Sequence, residues 1–232
     1  MRLTAISDTH TKHKEITHLL GEEEVLIHAG DAANSREPAI NQHEMFDFLE
    51  WYQGLNANHK IYVPGNHDTS VEANLINPAD FPDIHFLINR AIVIEGVKFY
   101  GSPYTPSFGV GWVWNMKRSR IDRVWDAIPY DTDVLITHGP PQGILDMTTD
   151  IDDPKRLVNC GCKCLLNKVM DTPSITAHIF GHVHDQSEAT NNGVRILNDV
   201  SRSFVNASCM RLRTNDIVNG PIRFDVRGNY DS

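Results

Sequence analysis

Leu3-Thr4-Ala5-Ile6-Ser7-Asp8-Thr9-His10 decides how this 232-residue chain is read: a short apolar run, then an Asp-x-His pair two residues later. The run Leu3 to Ile6 reads as a buried strand. If the chain stays extended past it, residues i and i+2 point to the same side, so Asp8 and His10 can reach one ion. The arrangement recurs. Val25 to Ala29 leads into Gly30-Asp31, and Ile61 to Val63 into Gly65-Asn66-His67-Asp68. Val134 to Ile136 leads into Thr137-His138-Gly139, and Ile179 to Phe180 into Gly181-His182-Val183-His184. In open α/β sheets, binding groups collect beyond the carboxyl ends of strands, so five such ends would assemble one site from distant parts of the chain.

Together these motifs supply three carboxylates, five imidazoles and one carboxamide. That is a ligand set for two metal ions with open positions, suited to hydrolysis of a phosphate ester. In-line attack on phosphorus needs a nucleophile that is anionic near neutral pH, and positive charge around the attacking, leaving and non-bridging oxygens. Two metals about 3.5–4 Å apart supply both. One carboxylate must bridge them, and Asp31 is the expected bridge. Neutral imidazole and hard oxygen suit Mn, Fe, Zn, Ni or Mg, and the absence of Cys from the motifs argues against a thiolate zinc site. In His182-x-His184 both rings can serve one ion, or a turn can send them to different ions.

These residues resemble the calcineurin-like metallophosphoesterase superfamily, whose pattern runs D-x-H, G-D, G-N-H-D/E, H, then G-H-x-H; the match covers residues 4 to 184. Gly101-Ser102-Pro103, Leu135 to Pro141 with Gly143, Phe180 to His184, and Val205 to Cys209 are closest to the metallophosphoesterase-domain-containing (MPPED) family, to about Val226. Some members lack one His of the G-H-x-H pair and lose activity; this chain keeps both. The resemblance implies a four-layer α/β/β/α sandwich of two mixed sheets flanked by helices. It implies Asp8, His10, Asp31 and His184 on a first metal, and Asp31, Asn66, His138 and His182 on a second. It places His67 opposite the leaving oxygen, as a catalytic proton or hydrogen-bond donor. Asp68 would orient a neighbouring imidazole. The cofactors would be two divalent or trivalent ions, manganese first, with iron, zinc, nickel or magnesium compatible.

Composition sets limits. Hydrophobic content of 41% with 22% charged residues is ordinary for a globular chain of one domain, residues 1–232 with a frayed tail from about Gly228. A formal charge of −9 argues against extended nucleic-acid binding. No secretory leader or run of ~18 apolar residues is visible, so a cytoplasmic protein without membrane contact is expected. Cys160, Cys162, Cys164 and Cys209 fit neither a zinc nor a disulfide pattern and read as reduced thiols. Asn206-Ala207-Ser208 matches a glycosylation sequon only by chance.

Helices are expected over Asn41 to Leu55, capped by Asn41, over Ser119 to Ile128 and over Cys164 to Met170. A hairpin is expected around Glu95-Gly96, and antiparallel strands over Val194 to Leu197, Phe204 to Ala207 and Ile222 to Val226. His28 and His178, inside apolar runs, read as buried hydrogen-bonded residues. The acidic run Asp146 to Asp153 lacks EF-hand spacing and reads as a solvated loop. Residues 102 to 118 carry aromatic and basic side chains that could shape specificity, with Trp114 and Arg118 as substrate-binding candidates together with Asn34.

The expected function is a phosphodiesterase for small diesters, with cyclic nucleotides first, acting by in-line attack of a metal-bound hydroxide. A phosphomonoesterase or protein phosphatase is the alternative on the same metals. A nuclease and a lipid pyrophosphate hydrolase rank lower, for want of a basic extension or an apolar cap. A non-catalytic binding scaffold stands last, because every motif residue is kept.

Overall fold

Two mixed β-sheets lie face to face, and their central strands are buried on both sides. The computed structural model describes residues 1–150, 152–153, 155–197 and 202–226. In chain order the elements are β1 (Arg2–Ile6), β2 (Glu23–His28), α1 (Pro38–Gln53), β3 (Ala57–Tyr62), α2 (Thr69–Glu72), β4 (Ile84–Phe86), β5 (Arg90–Ile94), β6 (Val97–Ser102), β7 (Thr105–Pro106) and β8 (Asn115–Met116). They continue with α3 (Asp122–Asp126), β9 (Val134–Thr137), β10 (Met147–Thr149), β11 (Leu157–Asn159), α4 (Lys163–Met170), β12 (Ala177–Phe180), β13 (Gly193–Leu197), β14 (Arg202–Asn206) and β15 (Ile222–Asp225). The first sheet has the order β15-β1-β2-β3-β4 and the second β13-β14-β12-β9-β6-β5.

Between the sheets, Leu3, Val25, Ile27 and Ile61 meet Phe99, Val134, Ile136, Ile179 and Val205. On the outer face of the first sheet, Ile6, Leu26 and Tyr62 pack against Met45, Phe48, Leu49 and Tyr52 of α1. On the outer face of the second, Leu135, Phe180 and Phe204 pack against Trp125 of α3 and Leu165 and Val169 of α4. The result is the expected α/β/β/α layering. β1, β2, β3 and β4 run parallel, as do β6, β9, β12 and β14, and antiparallel β15, β13 and β5 close the flanks. Parallel strands put their carboxyl ends at one rim, which positions the motifs.

Several local expectations shift. α1 starts at Pro38 with Glu37 as its N-cap, not at Asn41. Proline is favoured in the first helical turn, where its missing N–H has no partner to lose. Asn41 is instead buried within the first turns, free for long-range bonds. The second helix is shorter than Ser119 to Ile128, although Ile121, Trp125 and Ile128 are buried as the spacing requires. The acidic run is not simply solvated. Asp146 is fully buried and accepts from the Gly143 and Gly161 amides and from Asn159, tying the β10–β11 hairpin to its flanks. All four cysteines are free thiols. Asn206 is buried and donates to Leu145 O and Val183 O, which removes it from any glycosylation chemistry. The expected frayed tail lies outside the described residues. No described helix is long and apolar enough to cross a membrane.

Glu23 fastens β2 to the first and last strands of its sheet by accepting from Thr4 Oγ1 and from Arg223. Burial would raise its carboxyl, but Arg223, Thr4 and the Gly21 amide hold it down at about 2, against an ordinary 4.5. A lowered carboxylate stabilises the fold above its unfolded pKa and loses that contribution as pH falls through the folded value. Glu23→Gln is therefore expected to cost about 2 kcal/mol at pH 7. The difference from wild type should shrink as pH drops from 4.5 towards 2 in urea melts.

Candidate metal centre

The β1 loop does not continue as a strand. Asp8 (φ +54°), His10 (φ +40°), Asp31 (φ +55°) and His182 (φ +68°) all adopt left-handed backbone, which costs non-glycine residues roughly 1–3 kcal/mol each. The extended i,i+2 geometry expected for Asp8 and His10 is thus replaced by a turn. That turn is held by Asp8 N donating to Gly30 O (2.9 Å), His10 N to Asp31 O (3.1 Å) and Thr11 N to Ala32 O (2.8 Å). Two glycines let the loops close: a Cβ on Gly65 would collide with Asp31 Oδ1, and one on Gly181 with Ser7 Oγ and Asp8 Oδ2. The His182 amide donates to both carboxylate oxygens of Asp8, at 3.1 and 2.9 Å, linking the first and last motifs.

Donor atoms converge in three overlapping groups, each with its ligand atoms within 4.8 Å of one another: Asp8, His10 and His184; His10, Asp31 and His67; and Asp31, His138 and His182. His184 Nε2 lies 3.1 Å from Asp8 Oδ1 and 3.3 Å from His10 Nε2. Asp31 Oδ2 lies 3.2 Å from His138 Nε2 and 3.8 Å from His10 Nε2, central to both sides. Asn66 Oδ1 joins the second side, 3.1 Å from His138 Nε2. The two rings of His182-x-His184 fall in different groups, because the left-handed His182 turns the chain between them.

The donor set suits cations. His138 Nδ1 donates to Ala29 O at 2.8 Å, so its Nε2 is the nitrogen that meets the acceptor oxygens of Asp31 and Asn66. Three electron-rich atoms facing one another need a proton or a metal between them. Although burial opposes it, the Asp31 carboxylate lifts His138 to about 9. Against burial too, His138 and His67 hold Asp31 well below the carboxylate range. Burial pulls His10 down to about 4 and His182 to about 3, leaving both imidazoles neutral as metal binding requires. His10 Nδ1 and His184 Nδ1 are buried without a hydrogen-bond partner among the described residues.

A second layer props up these loops. His28 Nδ1 accepts from Gly30 N at 3.2 Å, so its Nε2–H donates to Thr9 Oγ1 at 3.0 Å, between Asp8 and His10. His178 Nε2 meets Thr137 Oγ1 at 2.8 Å, beside His138. Both are buried and neutral, as expected for histidines in apolar runs. Asn41 donates to His67 O (2.7 Å) and Ser35 O (2.8 Å), and its Oδ1 accepts from Ser70.

Asp68 plays a different part from the one expected. Among the described residues it hydrogen-bonds to no imidazole. Its carboxylate accepts from the amides of Asp31 (2.9 Å), Ala32 (3.0 Å), Ala33 (3.0 Å) and Gly65 (2.6 Å), clamping two motif loops together. Burial and the nearby Asp31 charge push its carboxyl up to about 6. Asp68→Ala would strand four buried donors and is expected to cost about 3 kcal/mol or more in thermal melts. Asp68→Asn, which keeps one acceptor oxygen, should cost about half as much.

At the rim, Asn34 contributes its backbone: His67 Nδ1–H donates to Asn34 O at 3.1 Å. Arg118 lines the cavity beside His182 and His184, but its guanidinium donates to Gly161 O (2.8 Å) and Cys160 O (2.5 Å). Trp114 turns away and packs on Tyr104 with ring centres 5.7 Å apart. Its neighbours reach the site instead. Trp112 lies 4.1 Å from the His67 ring and carries the Arg36 guanidinium 3.9 Å from its own centre, and Phe108 lies 4.7 Å from His182. Arg36 had no sequence signal, because its partner is 76 residues away.

Fold and donor set together define a metal-dependent phosphoesterase. The model of the calcineurin-like phosphoesterase family matches residues 1–186, and the chain belongs to that family. It is 32% identical over 250 residues to metallophosphoesterase domain-containing protein 1 of Homo sapiens, covering 97% of this chain and 71% of that protein. It is 31% identical over 242 residues to a UPF0046 protein of Caenorhabditis elegans, covering 97% and 75% respectively. One solved structure superposes with a TM-score of 0.62 at 16% identity, over 88% of this chain and 89% of that one, a likeness of fold.

Proposed function

We propose that this chain is a dinuclear metal-dependent phosphodiesterase acting on small diesters. The observation that carries this is the position of Asp31, shared between a His10 side and a His138–His182 side built from nitrogen and hard-oxygen donors. In this reading Asp8, His10, Asp31 and His184 hold one ion, and Asp31, Asn66, His138 and His182 the other. Manganese is the first ion to try. The bound ions would supply a water of lowered pKa and positive charge for the phosphate oxygens.

The rest falls to the chain. With its Nδ1–H given to Asn34 O, His67 presents Nε2 to the cleft, and in the imidazolium form that nitrogen also carries a proton it can donate to the departing oxygen. Trp112 and the Asn41–His67 O bond fix that ring from the side and from behind. A diester is favoured over a monoester by charge. A monoester dianion calls for cationic donors beyond the ions, and the two that line the cleft are already engaged, Arg118 with two carbonyls and Lys12 with Asn215 O. Cyclic nucleotides, the expectation from resemblance, remain among the substrates to test.

The test is initial rates of metal-stripped, Mn²⁺-reloaded protein on bis-p-nitrophenyl phosphate and p-nitrophenyl phosphate. The expected result is diester turnover at least ~10-fold above monoester turnover. Monoester preference would make the chain a phosphatase.

A further inference from the structure

The reaction needs room for one phosphate, but the cleft runs away from the metal centre in two directions. On the His67 side a cavity of about 330 Å³ is lined by Thr11, Lys12, Asn34, His67 and Asn215. On the His182 side a cavity of about 320 Å³ is lined by Pro106, Phe108, Arg118, Pro140 and Val183. His184 and Leu212 line both, so the two adjoin at the ligand cluster. Each is in the size range of small-molecule clefts.

Their walls differ. The His67 cavity offers a lysine, a threonine and two asparagines beside Met210 and Leu212. Lys12 is held there by Asn215 O, 2.6 Å from its Nζ. The other cavity sets Pro106, Phe108, Pro140, Val183 and Leu212 beside Thr148 and Arg118, and Phe108, stacked on Trp112 and abutting His182, still leaves 41% of its surface exposed. An exposed aromatic beside a catalytic centre is a surface for a flat group to cover. A monoester would fill one cavity. A cyclic diester carries both ester oxygens on one sugar and would also fill one. An acyclic diester, with its phosphate at the metal centre, places one ester group in each.

We propose that the substrate is an acyclic phosphodiester with a flat aromatic or heteroaromatic alcohol in the Phe108 cavity and a hydroxylated alcohol in the His67 cavity. This rests on the phosphodiesterase reading above. Because His67 faces the polar cavity, the polar alcohol is the one that leaves. A bond forms between phosphorus and the oxygen of water as the ester bond to the polar alcohol breaks. The departing oxygen takes the Nε2 proton of the His67 imidazolium, leaving the neutral ring with Nδ1–H on Asn34 O, and the proton released by water restores the imidazolium. The products are the free polar alcohol and the monoester of the flat alcohol.

Adenosine 5′-phosphoglycerol, methyl phosphoglycerol, 3′,5′-cyclic AMP and bis-p-nitrophenyl phosphate form the test set on the manganese-loaded protein, with products separated by chromatography. The adenosine diester is expected to exceed both methyl phosphoglycerol and cyclic AMP in kcat/KM by at least ~10-fold, the scale of one stacked base. It should give AMP and glycerol. Phe108→Ala should reduce its advantage over methyl phosphoglycerol at least ~5-fold. Equal or better cleavage of cyclic AMP, release of adenosine with glycerol phosphate, or an unchanged ratio in Phe108→Ala would overturn the proposal while bis-p-nitrophenyl phosphate is still hydrolysed. Loss of all turnover, that of bis-p-nitrophenyl phosphate included, would instead overturn the phosphodiesterase reading beneath it.

Discussion

Asp31→Asn is expected to lower kcat/KM for diester hydrolysis by about 10³-fold, or about 4 kcal/mol of transition-state stabilisation. Among the described residues Asp31 is the one carboxylate in donor groups on both sides, 3.2 Å from His138 and 3.8 Å from His10. An amide keeps the shape and one acceptor oxygen for the His67 amide, which now donates to Asp31 Oδ1 at 2.7 Å. It removes the negative charge that two cations would share. The loss should therefore show first as metal: the reloaded variant should bind fewer equivalents than wild type by elemental analysis. Without metal its melting temperature should fall below wild type, because the amide removes the charge that pairs with the buried His138 ring. An Asp31→Asn protein with full metal content and full activity would remove Asp31 from the bridging role.

His67→Ala should lower kcat by about 10²–10³-fold while leaving metal content unchanged. The two readouts separate two roles that geometry leaves side by side, since His67 also falls in a donor group with His10 and Asp31. A proton donor to the departing oxygen matters most when that oxygen is a poor leaving group. Alkyl diesters should therefore suffer more than p-nitrophenyl diesters in this variant. Equal losses on both, together with lost metal, would make His67 a ligand. Trp112→Ala, which removes the ring beside His67, should reproduce a weaker form of the same leaving-group dependence.

Much of this site was legible because strand ends and ligand chemistry leave few alternatives. Runs such as Val25 to Ala29 could only be buried, and Asp31, Asn66, His138 and His182 each follow such a run. Other features depend on information that local sequence does not carry. Asp8 and His10 were expected to share a face of an extended segment; both instead adopt left-handed backbone, a conformation that the loop from β2 imposes through Gly30 O and Asp31 O. Asn41 resembled a helix cap because it precedes an amphipathic run, whereas Pro38 sets the helix start and releases its side chain to hold His67 O. Asp68 resembled a catalytic partner because it follows His67. Its four amide donors come from residues up to 37 positions away. Within one aromatic loop, Trp112 reaches His67 while Trp114, two positions on, packs on Tyr104, and the loop backbone runs through positive φ at Gly109, Gly111 and Trp114 itself.

The most direct test of the central claim is a titration of the metal-stripped protein with Mn²⁺, following bound metal and bis-p-nitrophenyl phosphate hydrolysis in the same samples. A two-ion hydrolytic centre predicts two bound equivalents and turnover that rises as the second is filled. Hydrolysis that persists undiminished after stripping, or a protein that takes up no metal at all, would contradict it.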